Sequence, residues 1–177
     1  MLKDINSCVA LHNGVQMPWL GFGTFQIPDG EEVERSVLWA LEAGYRSIDT
    51  AAMYRNESGV GRALKASGIP RDQIFLTTKV ANDDQGYNPT LQAFEKSLEL
   101  LGVDYVDLYL IHRAVKGKFP DTWRAMEAIY LGGRARAVGV SNFLIHHLET
   151  LRQTSDLTPM VNQIEYHPLL TEVALLQ

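Results

Sequence analysis

Little in this 177-residue chain equips it for disulfide cross-linking, membrane insertion or nucleic-acid binding. Its single cysteine, Cys8, excludes an intrachain disulfide and leaves too few thiols for a cysteine-based metal centre, which points to a reducing compartment. No run reaches the roughly 18 apolar residues of a spanning helix. The start, Met1-Leu2-Lys3-Asp4-Ile5-Asn6, lacks the apolar core of a signal peptide. A formal charge of −5 gives no basic footprint for nucleic acid or an anionic membrane. A soluble, cytoplasmic protein is therefore expected. Motifs are missing as well. There is no His-Glu-x-x-His, and adjacent His146 and His147 are expected on different helix faces, so no metal is anticipated. Gly139-Val140-Ser141-Asn142-Phe143 lacks the closing glycine of a nucleophile elbow, and no phosphate-binding Gly-x-x-x-x-Gly-Lys-Ser/Thr loop occurs.

What is present suits one domain, residues 1–177, with a sizeable core: 46% hydrophobic and 21% charged residues. Cys8 to Leu11 and Val15 to Met17 flank His12-Asn13-Gly14, which reads as a tight hairpin. A periodic pattern follows. Trp19 to Thr24 reads as a strand, and Asp29 is placed to cap a helix whose first turn carries Glu31 and Glu32. Val33, Val37, Leu38 and Leu41 form its apolar face. Strand 45–48 precedes a helix from Asn56 with Val60 and Leu64 inward. Strand 74–78 precedes a helix opened by Asn88-Pro89, with proline at its first position and Leu91, Phe94, Leu98 and Leu101 inward. Strand 106–111 precedes a helix carrying Trp123, Met126 and Ile129, and strand 136–140 one carrying Leu144, Leu148 and Leu151. Met160 to Glu165 reads as a sixth strand, and the chain reaches Gln177 in a further helix.

Apolar strands alternating with helices predict a parallel sheet covered by helices. A doubly wound dinucleotide domain wants Gly-x-Gly-x-x-Gly at its first turn. Gly21-Phe22-Gly23-Thr24-Phe25 fails that pattern, and Gly59-Val60-Gly61 lies inside a helix. A (β/α)₈ barrel is favoured, here with about six of its eight strands and an N-terminal hairpin; a whole barrel takes about 250 residues.

In a barrel the C-terminal ends of the strands form the chemical face. Asp49, Lys79, His112, Ser141-Asn142 and Asn162-Gln163 all fall there. Each alone has an ordinary explanation: Asp49 as a turn former, Lys79 as a solvated cation, His112 as a structural histidine, Tyr54 as a half-buried aromatic, Ser141-Asn142 as a helix cap. Together, an acid, a phenol, an amine and an imidazole are the parts of a proton-transfer site.

The stretches Asp49-Thr-Ala-Ala-Met-Tyr54-Arg-Asn-Glu-Ser-Gly-Val-Gly61, Leu110-Ile-His112, Gly139-Val-Ser-Asn-Phe143 and Val161-Asn-Gln-Ile-Glu-Tyr-His-Pro168 resemble the aldo-keto reductase family. The resemblance is to bacterial members of the diketogluconate-reductase or glyoxal-reductase type and covers essentially the whole chain. It implies an NADP(H)-dependent oxidoreductase that reduces small aldehydes and ketones to alcohols. Tyr54 would be the general acid, Lys79 paired with Asp49 would lower its pKa, and His112 would orient the carbonyl. The implied cofactor residues are Gly23, Thr24, Asp49, Ser141, Asn142 and Gln163, the last three holding the nicotinamide carboxamide.

The chain departs from the family where a tryptophan commonly follows the catalytic histidine, for Arg113 stands there, and where another follows the lysine by two, for Ala81 stands there. With Phe25 these are the expected substrate-pocket residues. Arg113 either grips a substrate carboxylate or points to solvent. Measured against the family, the chain is expected to be C-terminally truncated, lacking the last two strands and their cofactor loops. Open edges on its first and sixth strands would then invite self-association. The alternative function is accordingly a catalytically inactive truncated barrel, non-enzymatic or dependent on assembly.

Overall fold

The computed structural model describes residues 4–176. Met1 to Lys3, part of the segment read for a signal peptide, and Gln177 lie outside the described residues. No described helix is long and apolar enough to cross a membrane.

The expected hairpin forms from β1 (Cys8–Ala10) and β2 (Gln16–Pro18), paired antiparallel. Its Asn13 donates from Nδ2 to the Arg136 carbonyl at 2.9 Å, docking the turn on the start of a strand 123 residues away. The strands β3 (Phe22–Gly23), β4 (Ser47–Asp49), β5 (Phe75–Val80), β6 (Val106–Ile111), β7 (Ala135–Ser141) and β8 (Asn162–Gln163) form one parallel sheet in chain order. The helices are α1 (Glu31–Glu42), α2 (Glu57–Ala66), α3 (Tyr87–Leu101), α4 (Phe119–Leu131), α5 (Ile145–Thr154) and the short α6 (Val173–Leu176).

Sequential strand order is the barrel's signature, because a doubly wound sheet reverses direction at a switch point. The sheet also curls. β4 and β8 are four strand spacings apart, roughly 19 Å in a flat sheet. Gln163 Nε2 nevertheless donates to Asp49 Oδ2 at 2.9 Å, which only a half-closed barrel allows. The alternation of side chains follows from the pleat. Ser47, Asp49, Thr77, Ser141 and Gln163 line the concave face, while Ile48, Leu76, Tyr109, Ile111, Val138 and Val140 are fully buried. Val33, Val37, Phe94, Trp123 and Met126 bring the helices into the same core.

Several local expectations are corrected. Asp29 does not cap α1, whose N-cap is Gly30 at φ 104°. Its carboxylate instead accepts from Gly59 N at 2.8 Å and Ser58 Oγ at 2.9 Å, so it caps α2 across a loop. α3 starts at Tyr87, which puts Pro89 third rather than first; any first-turn N–H lacks an intrahelical acceptor, so the proline costs no bond there. Leu144 is half exposed at the N-cap of α5 instead of on its inner face. The His146 and His147 rings do not diverge but lie 3.9 Å apart, and His147 Nδ1 accepts from Leu144 N to cap α5.

Gly59 and Gly61 sit inside α2 for a packing reason. A Cβ at Gly61 would lie 2.5 Å from the Leu101 carbonyl oxygen, so the end of α3 rests directly on the α2 backbone. Gly61→Ala should therefore destabilise the fold by about 1–3 kcal/mol, the usual overpacking cost, despite alanine's better helix propensity. A urea-unfolding midpoint unchanged or raised by Gly61→Ala would contradict this packing.

Candidate active site

The concave face encloses a cavity of about 710 Å³ that runs from the hairpin side, at Met17, Pro18 and Trp19, to the strand ends. At the strand ends its walls are Phe25, Asp49, Met53, Tyr54, His112, Arg113, Ser141, Asn142 and Gln163.

Lys79 sits beneath this surface. The strand β5 is longer than expected, so Lys79 lies within it, and the side chain is only 1% exposed rather than solvated. Burying an ammonium requires acceptors. Lys79 Nζ donates to Asp49 Oδ1 and to the Thr50 carbonyl at 3.0 Å, and approaches Tyr54 Oη at 3.5 Å. Burial lowers the Lys79 pKa, with the Asp49 charge opposing that shift. Both carboxylate oxygens of Asp49 are used, the second by Gln163.

Tyr54 ends a 3₁₀ turn, Ala52–Tyr54, and Arg55 after it is left-handed at φ 57°. The next two residues clamp this turn. Asn56, fully buried, donates to the Thr24 and Ile27 carbonyls at 2.9 Å each and accepts from Thr50 Oγ1 at 2.7 Å. Glu57, also buried, accepts from Thr78 Oγ1 at 2.6 Å. The phenol thus projects from a rigid loop, with its ring 5.6 Å from His112 and 5.0 Å from Phe25.

The resemblance implies a phenol whose pKa is lowered by Lys79, whereas in this structure the net shift is upward. Burial, then the Asp49 charge, pushes the phenol up to about 12. The Lys79 cation is matched by Asp49, so its net pull on the phenol is small. His112 moves the other way, to about 4, through burial and then the Lys79 and Arg113 charges. Its ring is therefore neutral at physiological pH, and neither ring nitrogen bonds to a described residue, with Nδ1 buried and unpartnered.

On the opposite wall, Asn142 is left-handed at φ 58°, a conformation asparagine tolerates. Its Nδ2 donates to the His112 carbonyl and to Ser141 Oγ, both at 3.0 Å, which leaves Oδ1 free as an acceptor. Ser141-Asn142 is not a helix cap, since α5 begins only at Ile145. Of the remaining expected residues, Gly23, Phe25 and Arg113 line the cavity, and Thr24 and Ala81 do not. Thr24 is fully buried and donates from its backbone N–H to the Asp49 carbonyl at 2.9 Å. Gln85 went unnoticed in the sequence. Only 3% exposed, it donates from Nε2 to the Arg113 carbonyl at 2.7 Å and accepts from Val115 N, fixing the loop after His112. Nothing local marks such a contact across 28 residues.

Comparison with known proteins agrees with this geometry. The profile of the Aldo/keto reductase family matches residues 19–177. Glyoxal reductase of Bacillus subtilis (strain 168) is 56% identical over 172 residues, covering 97% of this chain and 62% of that protein. The 9,11-endoperoxide prostaglandin H2 reductase of Trypanosoma cruzi (strain CL Brener) is 56% identical over 163 residues, covering 92% of this chain and 58% of that protein. Among solved structures, an aldo/keto reductase from Brucella melitensis superposes with a TM-score of 0.92 at 50% identity, over 95% of this chain and 66% of that one. A Bombyx mori aldo-keto reductase in complex with NADP superposes with a TM-score of 0.88 at 36% identity, over 96% of this chain and 61% of that one. The chain spans about three fifths of the length of the curated relatives it matches. A half-barrel with an acid, a phenol, an amine and an imidazole at its strand ends, matched in sequence and in shape, belongs to the aldo/keto reductase family.

Proposed function

We propose that the protein carrying this chain reduces small aldehydes and ketones to alcohols with NADPH, and that Tyr54 is its general acid. The observation that carries the reading is Tyr54 Oη at the cavity wall, 3.5 Å from a buried cation and beside a neutral imidazole. The Bacillus subtilis relative, a glyoxal reductase, supports a small dicarbonyl as substrate, and the NADP-bound Bombyx mori structure supports the cofactor.

The donors and acceptors present fit a nicotinamide carboxamide, which offers one NH₂ and one carbonyl. Ser141 Oγ can donate, and Asn142 Oδ1 and Gln163 Oε1, whose amide Nε2 is committed to Asp49, are free to accept. A reduced nicotinamide held there supplies hydride to the carbonyl carbon. The rest falls to side chains of this chain. Tyr54 Oη gives its proton to the carbonyl oxygen as the C=O π electrons move onto it. With a pKa near 12 the phenol is protonated throughout the physiological range, yet it remains more acidic than the alcohol being formed. Lys79 Nζ then faces the phenolate left behind and stabilises its charge. His112, unable to repel or trap a proton as a cation, offers a ring N–H to orient the carbonyl.

Tyr54→Phe should lower kcat for NADPH-dependent reduction of a small dicarbonyl by about 10²–10⁴-fold while fluorescence titration shows NADPH still bound. Retention of the rate within a fewfold would remove Tyr54 from the mechanism.

His112 generates a second prediction. Its folded pKa, about 4, lies below the ordinary 6.5. Between those values the unfolded chain takes up a proton that the native ring refuses, so stability falls as pH drops through that window and levels off above it. Histidine NMR titration should show the His112 ring neutral down to about pH 4, and His112→Gln should flatten the stability slope between pH 6.5 and 4. A His112 resonance titrating near 6.5 would contradict the assignment.

A further inference from the structure

The cavity has one charged lining side chain without a hydrogen-bond or ion-pair partner among the described residues. Its charged lining side chains are Asp49, Arg113 and Glu165. Asp49 is paired with Lys79 and Gln163. Glu165 already has a donor, His167 Nε2 at 2.9 Å. Arg113 makes no ion pair with any described residue, although it is exposed to the cavity and directly follows His112. Its backbone is not free to swing away, because buried Gln85 holds its carbonyl at 2.7 Å and bonds Val115 two residues on. Arg113 is also near enough for its charge to act on the His112 ring.

A guanidinium is planar and presents paired N–H donors that match a carboxylate's two oxygens. We propose that Arg113 is a specificity-determining residue of this cavity and selects carbonyl substrates that carry a carboxylate. This rests on the reductase reading above and adds the substrate class. The carbonyl would sit at Tyr54 and His112, and the carboxylate would meet the unpaired guanidinium beside them. Neither Asp49 nor Glu165 is in ion-pair contact with it; Asp49 pairs with Lys79, and Glu165 bonds His167.

The test compares 4-carboxybenzaldehyde with its uncharged methyl ester in the full-length protein with NADPH. The wild type should favour the acid in kcat/KM. Arg113→Met and Arg113→Gln should each reduce the acid-to-ester ratio of kcat/KM roughly tenfold, a loss between that of an exposed ion pair and a desolvated bidentate one. The loss should reside in KM, and Arg113→Lys should restore part of it. Raising the ionic strength should raise KM for the acid and not for the ester. If the substitutions change both substrates equally, or neither, Arg113 does not read the carboxylate and the inference falls while the reductase reading stands. If neither substrate is reduced by the wild type, the reductase reading falls and takes this inference with it.

Discussion

The ion pair between Lys79 and Asp49 is the constraint on which both the curl of the sheet and the site depend. An ammonium removed from water is tolerated only with good acceptors around it, and its desolvation amounts to several kcal/mol. Here the acceptors are Asp49 on the neighbouring strand and the Thr50 carbonyl just past it. The other Asp49 oxygen takes the Gln163 amide from the far edge of the sheet. One carboxylate therefore ties the second strand of the sheet to the third and to the sixth. The same contacts fix the cation next to Tyr54 and leave the side-chain oxygen of Gln163, Oε1, free for a ligand. Architecture and chemistry use the same atoms.

Around that pair the loops are held by buried polar side chains rather than by length or stiffness of their own. Asn56 and Glu57 anchor the turn that presents Tyr54, Asn142 bonds the carbonyl of His112, and Gln85 bonds that of Arg113. Each is a directional contact to a neighbouring strand–helix connection or, for Glu57, to Thr78 within β5, so the groups at the strand ends are positioned relative to one another and not merely near one another. Burial then sets their protonation. It raises the Tyr54 phenol and lowers the His112 imidazole, which keeps both neutral and able to donate at physiological pH.

Much of this was legible in the sequence. Strand 106–111 is found at its expected bounds, and the inward faces built from Val33, Val37, Phe94, Trp123 and Met126 are buried as their periodicity implies. The convergence of Asp49, Tyr54, Lys79 and His112 follows from each lying at the same point of a repeating strand–helix unit. What periodicity could not supply was anything decided across loops. Asp29 looks like a cap for the helix beside it, yet its carboxylate reaches the next one. Gly59 and Gly61 are expected inside a helix, but why they are glycine lies in other helices and loops. Lys79 looks solvated until its acceptors, one of them 30 residues back, are in place. The direction of the Tyr54 pKa is not legible either, because it is set first by how deeply the folded loops bury the phenol.

The central claim is that Lys79 and Asp49 act as one unit, in folding and in proton transfer. A double-mutant cycle with Lys79→Met and Asp49→Leu tests it most directly, read by urea unfolding and by the rate of NADPH-dependent carbonyl reduction. Asp49→Leu leaves the buried Lys79 charge unpaired and should destabilise by about 3–5 kcal/mol, while Lys79→Met leaves Asp49, 21% exposed and still bonded to Gln163, and should cost less. The double variant should be less destabilised than the two singles summed, by a coupling energy on the order of 2 kcal/mol, and yet remain as inactive as either single. Stabilities that simply add, or a double variant that still reduces carbonyls at the parent rate, would contradict the account.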